Sequence, residues 1–139
     1  MIADVFLDTN VIAYAASKAK GDEVKSKVAL DFIRTAKFGL SGQVLQEFYV
    51  TATRKLEVKL SHHEALDWIE ALEEFPCVPI DSSLVFQGAE TASRYNISYW
   101  DGTVIAAAAR LGVPYLYTED LNHGQTYGSV KVINPFRIH

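Results

Sequence analysis

Short apolar runs alternate with longer amphipathic runs along the chain, and this alternation restricts the fold more than any other feature of the sequence. Val5–Leu7 is apolar throughout, as expected of a strand buried on both faces. Similar runs recur at Phe38–Leu40, Val78–Ile80 and Tyr115–Tyr117, with Val130–Ile133 as a candidate fifth strand. Strands that alternate with helices are typical of a parallel sheet covered by helices. We therefore predict an α/β fold, a single three-layer domain of residues 1–139 with a parallel sheet of four or five strands.

Capping residues mark where the predicted helices begin and end. A short helix is predicted over 10–17, and Ser61 and Glu64 form a capping box that begins a later one. Gly112 occupies the left-handed cap position after a helix over 103–111, which begins at Asp101 or its neighbour. The other predicted caps are Asp22, Ser41 and either Asp81 or Ser82. The apolar stripe predicted for the helix after Asp22 consists of Val24, Val28, Phe32, Ile33 and Ala36.

Length, charge and cysteine content narrow the class of protein. The chain has 139 residues, of which 49% are hydrophobic, enough for a core without disulfides or a structural metal. Its one cysteine, Cys77, favours a reducing, cytoplasmic setting. We expect a soluble protein, because the start does not resemble a signal peptide and every apolar run is much shorter than the roughly 20 residues of a membrane span. The net charge of −4 argues against nucleic-acid binding by bulk electrostatics, although residues 18–59 carry nine basic residues against five acidic ones.

Four acidic residues are predicted to meet at one edge of the sheet. Asp8 directly follows the first strand, and Asp120 lies shortly after the strand Tyr115–Tyr117. The carboxyl ends of parallel strands share one edge, where ligands bind in open α/β sheets. Asp101, at the start of its helix, and Glu47, early in the helix after Ser41, can reach the same edge. Each could instead be a helix cap, a turn residue or a solvated side chain, but their joint placement favours a site.

The negative charge of four neighbouring carboxylates must be neutralised. At separations of about 6 Å and an effective dielectric constant near 20, each pair of carboxylates repels by about 2.8 kcal/mol. Either some of the carboxyl groups are protonated, with raised pKa values, or a hard divalent cation binds between them. We favour the cation, and oxygen-only ligands select Mg²⁺ or Mn²⁺. A metal held in this way supports hydrolysis of a phosphodiester bond.

These residues resemble the motifs of the PIN-domain nucleases. The matching segments are a strand followed by Asp8-Thr9-Asn10, a helix with Gln46-Glu47-Phe48, Asp101 near the start of an Ala-rich helix, and Thr118-Glu119-Asp120 after a Tyr-rich strand. The resemblance covers nearly the whole chain and is strongest to the VapC-like toxin ribonucleases of prokaryotic toxin-antitoxin pairs. It implies a parallel sheet between layers of helices, an acidic cleft that binds Mg²⁺ or Mn²⁺, and cleavage of RNA.

Carried over residue by residue, the resemblance implies that Asp8, Glu47, Asp101 and Asp120 bind the metal and carry catalysis. Asn10, Thr118 and Asn122 would then support them through hydrogen bonds. Many relatives have a further acid at the position of Asn122, so the amide here favours one metal with a weaker, substrate-assisted second one.

A few basic, histidine and aromatic residues are further candidates for contacting RNA. Arg54 and Lys55, two turns beyond Glu47, are the best candidates for contacting phosphate in an RNA substrate. His62, His63 and His123 are expected to be solvent-exposed. Tyr99 and Trp100 could stack on a base, although core packing is the expectation for both.

The sequence leaves two functions open. The first is a metal-dependent endoribonuclease that is the toxin of a toxin-antitoxin pair, with an antitoxin protein as a partner. The second is a non-catalytic RNA-binding or assembly module with the same fold. A homodimer is also expected, because apolar residues such as Trp68 on the helices over 22–75 could be left over for a twofold partner.

Overall fold

The computed structural model describes residues 3–137, which form six strands and six α-helices, with two helices after each of the first three strands. The strands are β1 Val5–Leu7, β2 Phe38–Ser41, β3 Cys77–Val78, β4 Tyr115–Tyr117, β5 Thr126–Tyr127 and β6 Val130–Ile133. The helices are α1 Thr9–Ala16, α2 Glu23–Thr35, α3 Gly42–Val50, α4 His62–Leu72, α5 Ser82–Tyr95 and α6 Tyr99–Leu111. A 3-10 turn, Lys20–Asp22, precedes α2, and a π-helical turn, Thr51–Lys55, extends α3.

The strands form one sheet in the order β3-β2-β1-β4-β6-β5, and every neighbouring pair except β5 and β6 is parallel. This confirms the predicted α/β class and the mostly parallel sheet. The predicted count of four or five strands is wrong by one. The extra strand, β5, has only two residues and pairs with β6 through the turn Gly128-Ser129, where Gly128 adopts φ +61°. A strand this short has no periodicity to detect.

The strand order reverses between β1 and β4, and this places a crevice at their carboxyl ends. The chain runs from β1 outward through β2 to β3, then returns to β4 on the other side of β1. Leu7 is in register with Tyr117, and the backbone N–H of Asp8 donates to the carbonyl oxygen of Tyr117 at 3.1 Å. The segments that begin at Asp8 and Thr118 therefore leave the sheet side by side, at the position where open α/β sheets bind ligands.

Local signals explain most helix boundaries. Ser41 and Asp81 accept hydrogen bonds from the backbone of α3 and α5, and Ser61 with Glu64 forms the predicted capping box. Gly112 ends α6 in the left-handed conformation, φ +82°, as predicted.

Two helix predictions need correction. Asp22 accepts a hydrogen bond from the Ser17 hydroxyl at 2.6 Å instead of capping α2, and Val24 is 68% exposed, so it is not part of the apolar stripe. The helix α6 begins at Tyr99, earlier than the predicted start at Asp101 or its neighbour, because Ser98 is its cap. Asp101 is therefore the third residue of the helix rather than its cap.

The core lies between the sheet and two groups of helices. The main contacts join α1 to α2 and α3, and α3 to α4, whereas α5 and α6 form a separate pair. Strands β1 and β2 are buried along their whole length, and residues 102–108 of α6 are all buried. Trp68 is partly buried and packs against Phe48 at the edge of this core, with 6.0 Å between ring centroids, so only part of its surface is available to the expected twofold partner. Between residues 3 and 137, no helix has the length and apolar composition to span a bilayer.

Candidate active site

Asp8 is the one buried acid at the crevice, with 6% of its surface exposed. Its Oδ1 accepts a hydrogen bond from the backbone N–H of Thr9 at 2.7 Å, so Asp8 also caps α1. Its Oδ2 accepts from the hydroxyl of Thr118 at 2.9 Å. The cap interpretation and the site interpretation are thus compatible, because each carboxylate oxygen keeps a free lone pair.

Thr118 and Asn10 connect Asp8 to Asp120. The Thr118 hydroxyl donates to Asp8 and accepts from the Asn10 side-chain amide at 3.0 Å and from the backbone N–H of Asp120 at 3.1 Å. Asn10 Nδ2 also donates to Asp120 Oδ2 at 3.0 Å. Thr118 is fully buried, and its hydroxyl uses its one donor and both acceptor sites here. These contacts fix the relative positions of the two acids that leave β1 and β4.

Glu47 lies on α3 and is oriented by a neighbour one turn earlier. Gln43 Nε2 donates to Glu47 Oε1 at 2.9 Å and to the carbonyl oxygen of Trp100 at 3.3 Å. The hydroxyl of Thr103 donates to Gln43 Oε1 and lies 2.7 Å from the carbonyl oxygen of Trp100. This network ties α3 to the first turn of α6, and so brings Glu47 toward the element that carries Asp101.

Burial and neighbouring negative charges raise the pKa values of two of the four acids. Burial raises the pKa of Asp8 to about 7, and the negative charges of Asp120 and Glu47 add to the rise. Burial also raises the pKa of the half-buried Asp101, with a further contribution from Asp120. Asp120 therefore acts on both Asp8 and Asp101, and Glu47 acts on Asp8. We call these four residues the acidic cluster.

The side chains of the acidic cluster are too far apart to surround a metal ion in the positions that the structure gives them. Among the residues described, no three Asp, Glu, His or Cys side chains are close enough together to enclose a metal ion. The donor set nevertheless suits a hard cation, since it contains only carboxylate oxygens. The Thr9 hydroxyl nearby is buried without a hydrogen-bond partner in the described part of the chain. A bound cation would favour the charged form of Asp8 and so oppose the burial and the smaller repulsion that raise its pKa.

A cleft of about 430 Å³ opens beside Glu47 and Asp120, whereas Asp8 and Asp101 do not line it. Its lining includes Asn10, Glu47, Asp120 and, from the π-helical turn, Lys55. Arg54 is exposed and does not line it. Of the two predicted phosphate contacts, the structure places Lys55 at the cleft.

An ion pair and a hydrogen bond hold Glu119, the residue directly before Asp120. Lys25 Nζ donates to Glu119 Oε2 at 2.9 Å, and the Tyr14 hydroxyl donates to Glu119 Oε1 at 2.7 Å. The Glu119 carboxylate is thereby directed toward α1 and α2. Sequence reasoning missed Lys25 and Tyr14, because neither adjoins a strand end.

Other predicted residues lie away from the acids. The Asn122 side chain donates to Gln125 Oε1 at 3.0 Å and contacts none of the four carboxylates. His62 pairs with the Tyr49 hydroxyl, and His123 Nδ1 accepts from the backbone N–H of Asn134, so these exposed histidines have structural partners. Trp100 is 63% exposed, contrary to the core packing expected for it.

Comparison with protein-family models matches residues 5–128 to the PIN domain. Solved structures with the same fold include VapC20 of Mycobacterium tuberculosis, a sarcin-ricin loop cleaving toxin, at 20% identity and a TM-score of 0.67, with 84% of this chain and 89% of that one covered. A chain of the FitAB complex bound to the IR36 DNA fragment has 20% identity and a TM-score of 0.70, covering 97% of each chain. A toxin-antitoxin complex from Klebsiella pneumoniae has 16% identity and a TM-score of 0.67, covering 94% and 97%. A search of curated proteins found no significant match.

Proposed function

Because the chain belongs to the PIN-domain family, we propose that it is a metal-dependent endoribonuclease and the toxin of a toxin-antitoxin pair. The observation that carries this proposal is the buried carboxyl of Asp8, held by Thr118 at the switch point of the sheet and facing the charges of two other acids. Burying a carboxyl group among like charges destabilises a fold, so a functional reason is expected.

Asp8, Glu47, Asp101 and Asp120 are the residues we assign to Mg²⁺ or Mn²⁺, with one tightly held ion. A bound divalent ion would polarise a phosphoryl oxygen and lower the pKa of a water molecule at neutral pH. Oxygen donors of this kind suit Mg²⁺ and Mn²⁺ better than zinc.

The remaining polar residues position the acids and the RNA. Thr118 and Asn10 hold Asp8 and Asp120 in fixed orientations, and Gln43 does the same for Glu47. Groups that orient metal-binding carboxylates commonly affect metal affinity and activity. Lys55 contacts a phosphate of the substrate within the cleft, and Arg54 adds positive charge at its exposed rim.

Partners follow from the same assignment. An antitoxin protein is proposed because structural relatives are toxin-antitoxin complexes, including the one from Klebsiella pneumoniae. A homodimer is also proposed, formed through exposed apolar residues such as Leu66 on α4. We propose that the protein acts in the cytoplasm, where its RNA substrate is found.

The decisive experiment compares RNA cleavage by the unmodified protein and by Asp8→Asn and Asp101→Asn variants, with Mg²⁺ or Mn²⁺ and with chelator. Each substitution removes a charged ligand at nearly constant size, so we expect cleavage to fall by more than about 100-fold. Asp67→Asn, an exposed acid on α4, is the matched control and should cleave normally. Thermal melts of all variants verify folding.

Two results would contradict the proposal. Cleavage by Asp101→Asn at the unmodified rate would remove Asp101 from the site. RNA binding without metal-dependent cleavage by the unmodified protein would favour the non-catalytic module instead.

A further inference from the structure

A second pocket of about 350 Å³ adjoins the acidic cleft and has a different chemical character. We call it the Trp100 pocket. It shares Glu47, Thr51 and Lys55 with the cleft, so the two form one continuous depression. Its other lining residues are Gln43, Gln46, Val50 and Trp100. Its volume is in the range of small-ligand sites, and an indole lines it beside a cation and amide groups.

Trp100 is exposed while its backbone is held firmly. With 63% of its surface exposed, Trp100 belongs to the most solvent-accessible large apolar side chains of the described residues. Its carbonyl oxygen accepts from Gln43 Nε2, and the Thr103 hydroxyl also contacts it. The Tyr99 ring meets the indole edge-on, with 5.0 Å between centroids and a 76° angle between planes. An indole on such a rigid attachment loses little conformational freedom when a flat ligand stacks on it.

The same hydrogen bonds link the Trp100 pocket to the acids. Gln43 donates to both Glu47 Oε1 and the carbonyl oxygen of Trp100, so one amide holds the Glu47 carboxylate and the backbone that carries the indole. Lys55, on the π-helical turn, lines both depressions. A ligand that spans them would place a negative group near Lys55 and a flat apolar group near Trp100.

We propose that the Trp100 pocket binds one unpaired nucleobase of a single-stranded RNA, adjacent to the phosphodiester at the acidic cluster. The base stacks on Trp100, the Gln46 amide lies within the same pocket to contact a base edge, and Lys55 contacts the neighbouring phosphate. This inference rests on the proposed function and adds the place on the protein where one base of the substrate is held. Single-stranded nucleic acids are commonly bound by aromatic stacking combined with a cationic track.

Selectivity follows from the geometry of RNA. In a double helix the bases are stacked on one another and their faces cannot reach a side chain. The Trp100 pocket would therefore favour single strands or loops over duplexes. A protein partner on the exposed indole is the competing explanation, and it predicts no effect of Trp100 on RNA affinity.

The test measures equilibrium binding of a short, fluorescein-labelled single-stranded RNA of mixed sequence and of the same RNA annealed to its complement. All proteins carry Asp8→Asn, so that bound RNA stays intact. Trp100→Ala is compared with Trp100→Phe, which keeps an aromatic face, and with Phe86→Ala on α5. Phe86 is also 63% exposed and lines neither the cleft nor the Trp100 pocket, so it is the matched control.

We expect Trp100→Ala to weaken single-strand binding about tenfold, Trp100→Phe to restore most of it, and Phe86→Ala to have no effect. Duplex binding should be equal in all variants. Unchanged single-strand affinity in Trp100→Ala would overturn the inference, and so would an equal loss for single strand and duplex. A different result would contradict the proposed function: failure of the protein with Asp8 intact to cleave RNA in the presence of metal. That result does not depend on what Trp100 contributes to binding.

Discussion

At the scale of single residues, one hydroxyl group holds the acidic cluster together. Thr118 Oγ1 joins Asp8, Asn10 and the backbone of Asp120, and it is fully buried. Removing a buried hydroxyl leaves its partners without hydrogen bonds, which costs about 1–3 kcal/mol. Thr118 therefore affects both the stability of the fold and the orientation of two proposed metal ligands.

We predict that Thr118→Val lowers RNA cleavage by about 10- to 100-fold, as expected for a residue that orients metal-binding groups. The substitution keeps the shape of the side chain and removes only the hydroxyl. Metal titration followed by calorimetry should show weakened binding in parallel with the activity. Thr118→Ser keeps the hydroxyl and should retain most of the activity, and an inactive Thr118→Ser variant would refute the hydrogen-bond explanation.

The sequence identified the acids more readily than the residues that hold them. Asp8 and Asp120 were found because each follows a strand, a relationship visible in the order of residues. Gln43 and Thr103 were missed, because their contact depends on how α3 packs against α6 across 60 positions of sequence. Lys55 and Arg54 could not be distinguished, since both are exposed and the π-helical turn that brings only Lys55 to the cleft has no sequence signature that we recognised.

At the scale of elements, the close packing of α5 against α6 helps to position Glu47. A Cβ atom placed on Gly88 of α5 would lie 3.0 Å from Thr103 Cα and 3.1 Å from Thr103 Cβ. Thr103 in turn contacts Gln43, which holds Glu47. The spacing between these two helices is therefore transmitted to a proposed metal ligand.

We predict that Gly88→Ala destabilises the protein by about 1–3 kcal/mol, because the added methyl group forces the helices apart. RNA cleavage should fall as well, since Thr103 and Gln43 would shift. Gly21→Ala is the matched control, because no atom lies within 4 Å of the added Cβ there. Chemical denaturation of both variants measures the difference, and equal stability would contradict the packing argument.

Capping residues in the sequence predict some helix boundaries correctly and others not. The capping box at Ser61 and the cap at Ser41 were predictable, because a cap and its partner are at most three residues apart. The start of α6 was misplaced because Asp101 is a good capping residue, yet Ser98 caps the helix. Two candidate caps lie within one turn, and the Ser98 hydroxyl is the one that accepts a hydrogen bond from the helix backbone, at Asp101 N–H.

At the scale of the whole molecule, the acidic cluster makes stability depend on pH. The folded protein holds a proton on Asp8 up to about pH 7, whereas the unfolded chain releases it near its ordinary pKa of 3.8. The raised pKa of Asp101 acts in the same direction. Between these limits the folded state binds more protons than the unfolded state, so stability falls as pH rises. The lowered pKa values of Glu64 and Asp81 act at more acidic pH, where stability falls as pH falls.

We predict that the chelated protein loses stability between about pH 5 and about pH 8, by up to about 3 kcal/mol if Asp8 is the main source. Asp8→Asn removes the titrating group, so its free energy of unfolding should change much less over the same range. Denaturant titrations at several pH values, with chelator present, measure both. A steeper loss in Asp8→Asn than in the unmodified protein would contradict the origin in Asp8.

Metal should oppose this loss, because a cation binds carboxylates in their deprotonated form and stabilises only the folded state. With Mn²⁺ added, we expect the stability difference from the chelated protein to grow as pH rises from about 5 to about 8. In Asp8→Asn this difference should be much smaller, since a charged ligand is missing. If Mn²⁺ stabilises the unmodified protein and Asp8→Asn equally at every pH, the ion binds elsewhere, and the acidic cluster must be neutralised by protonation of Asp8 alone.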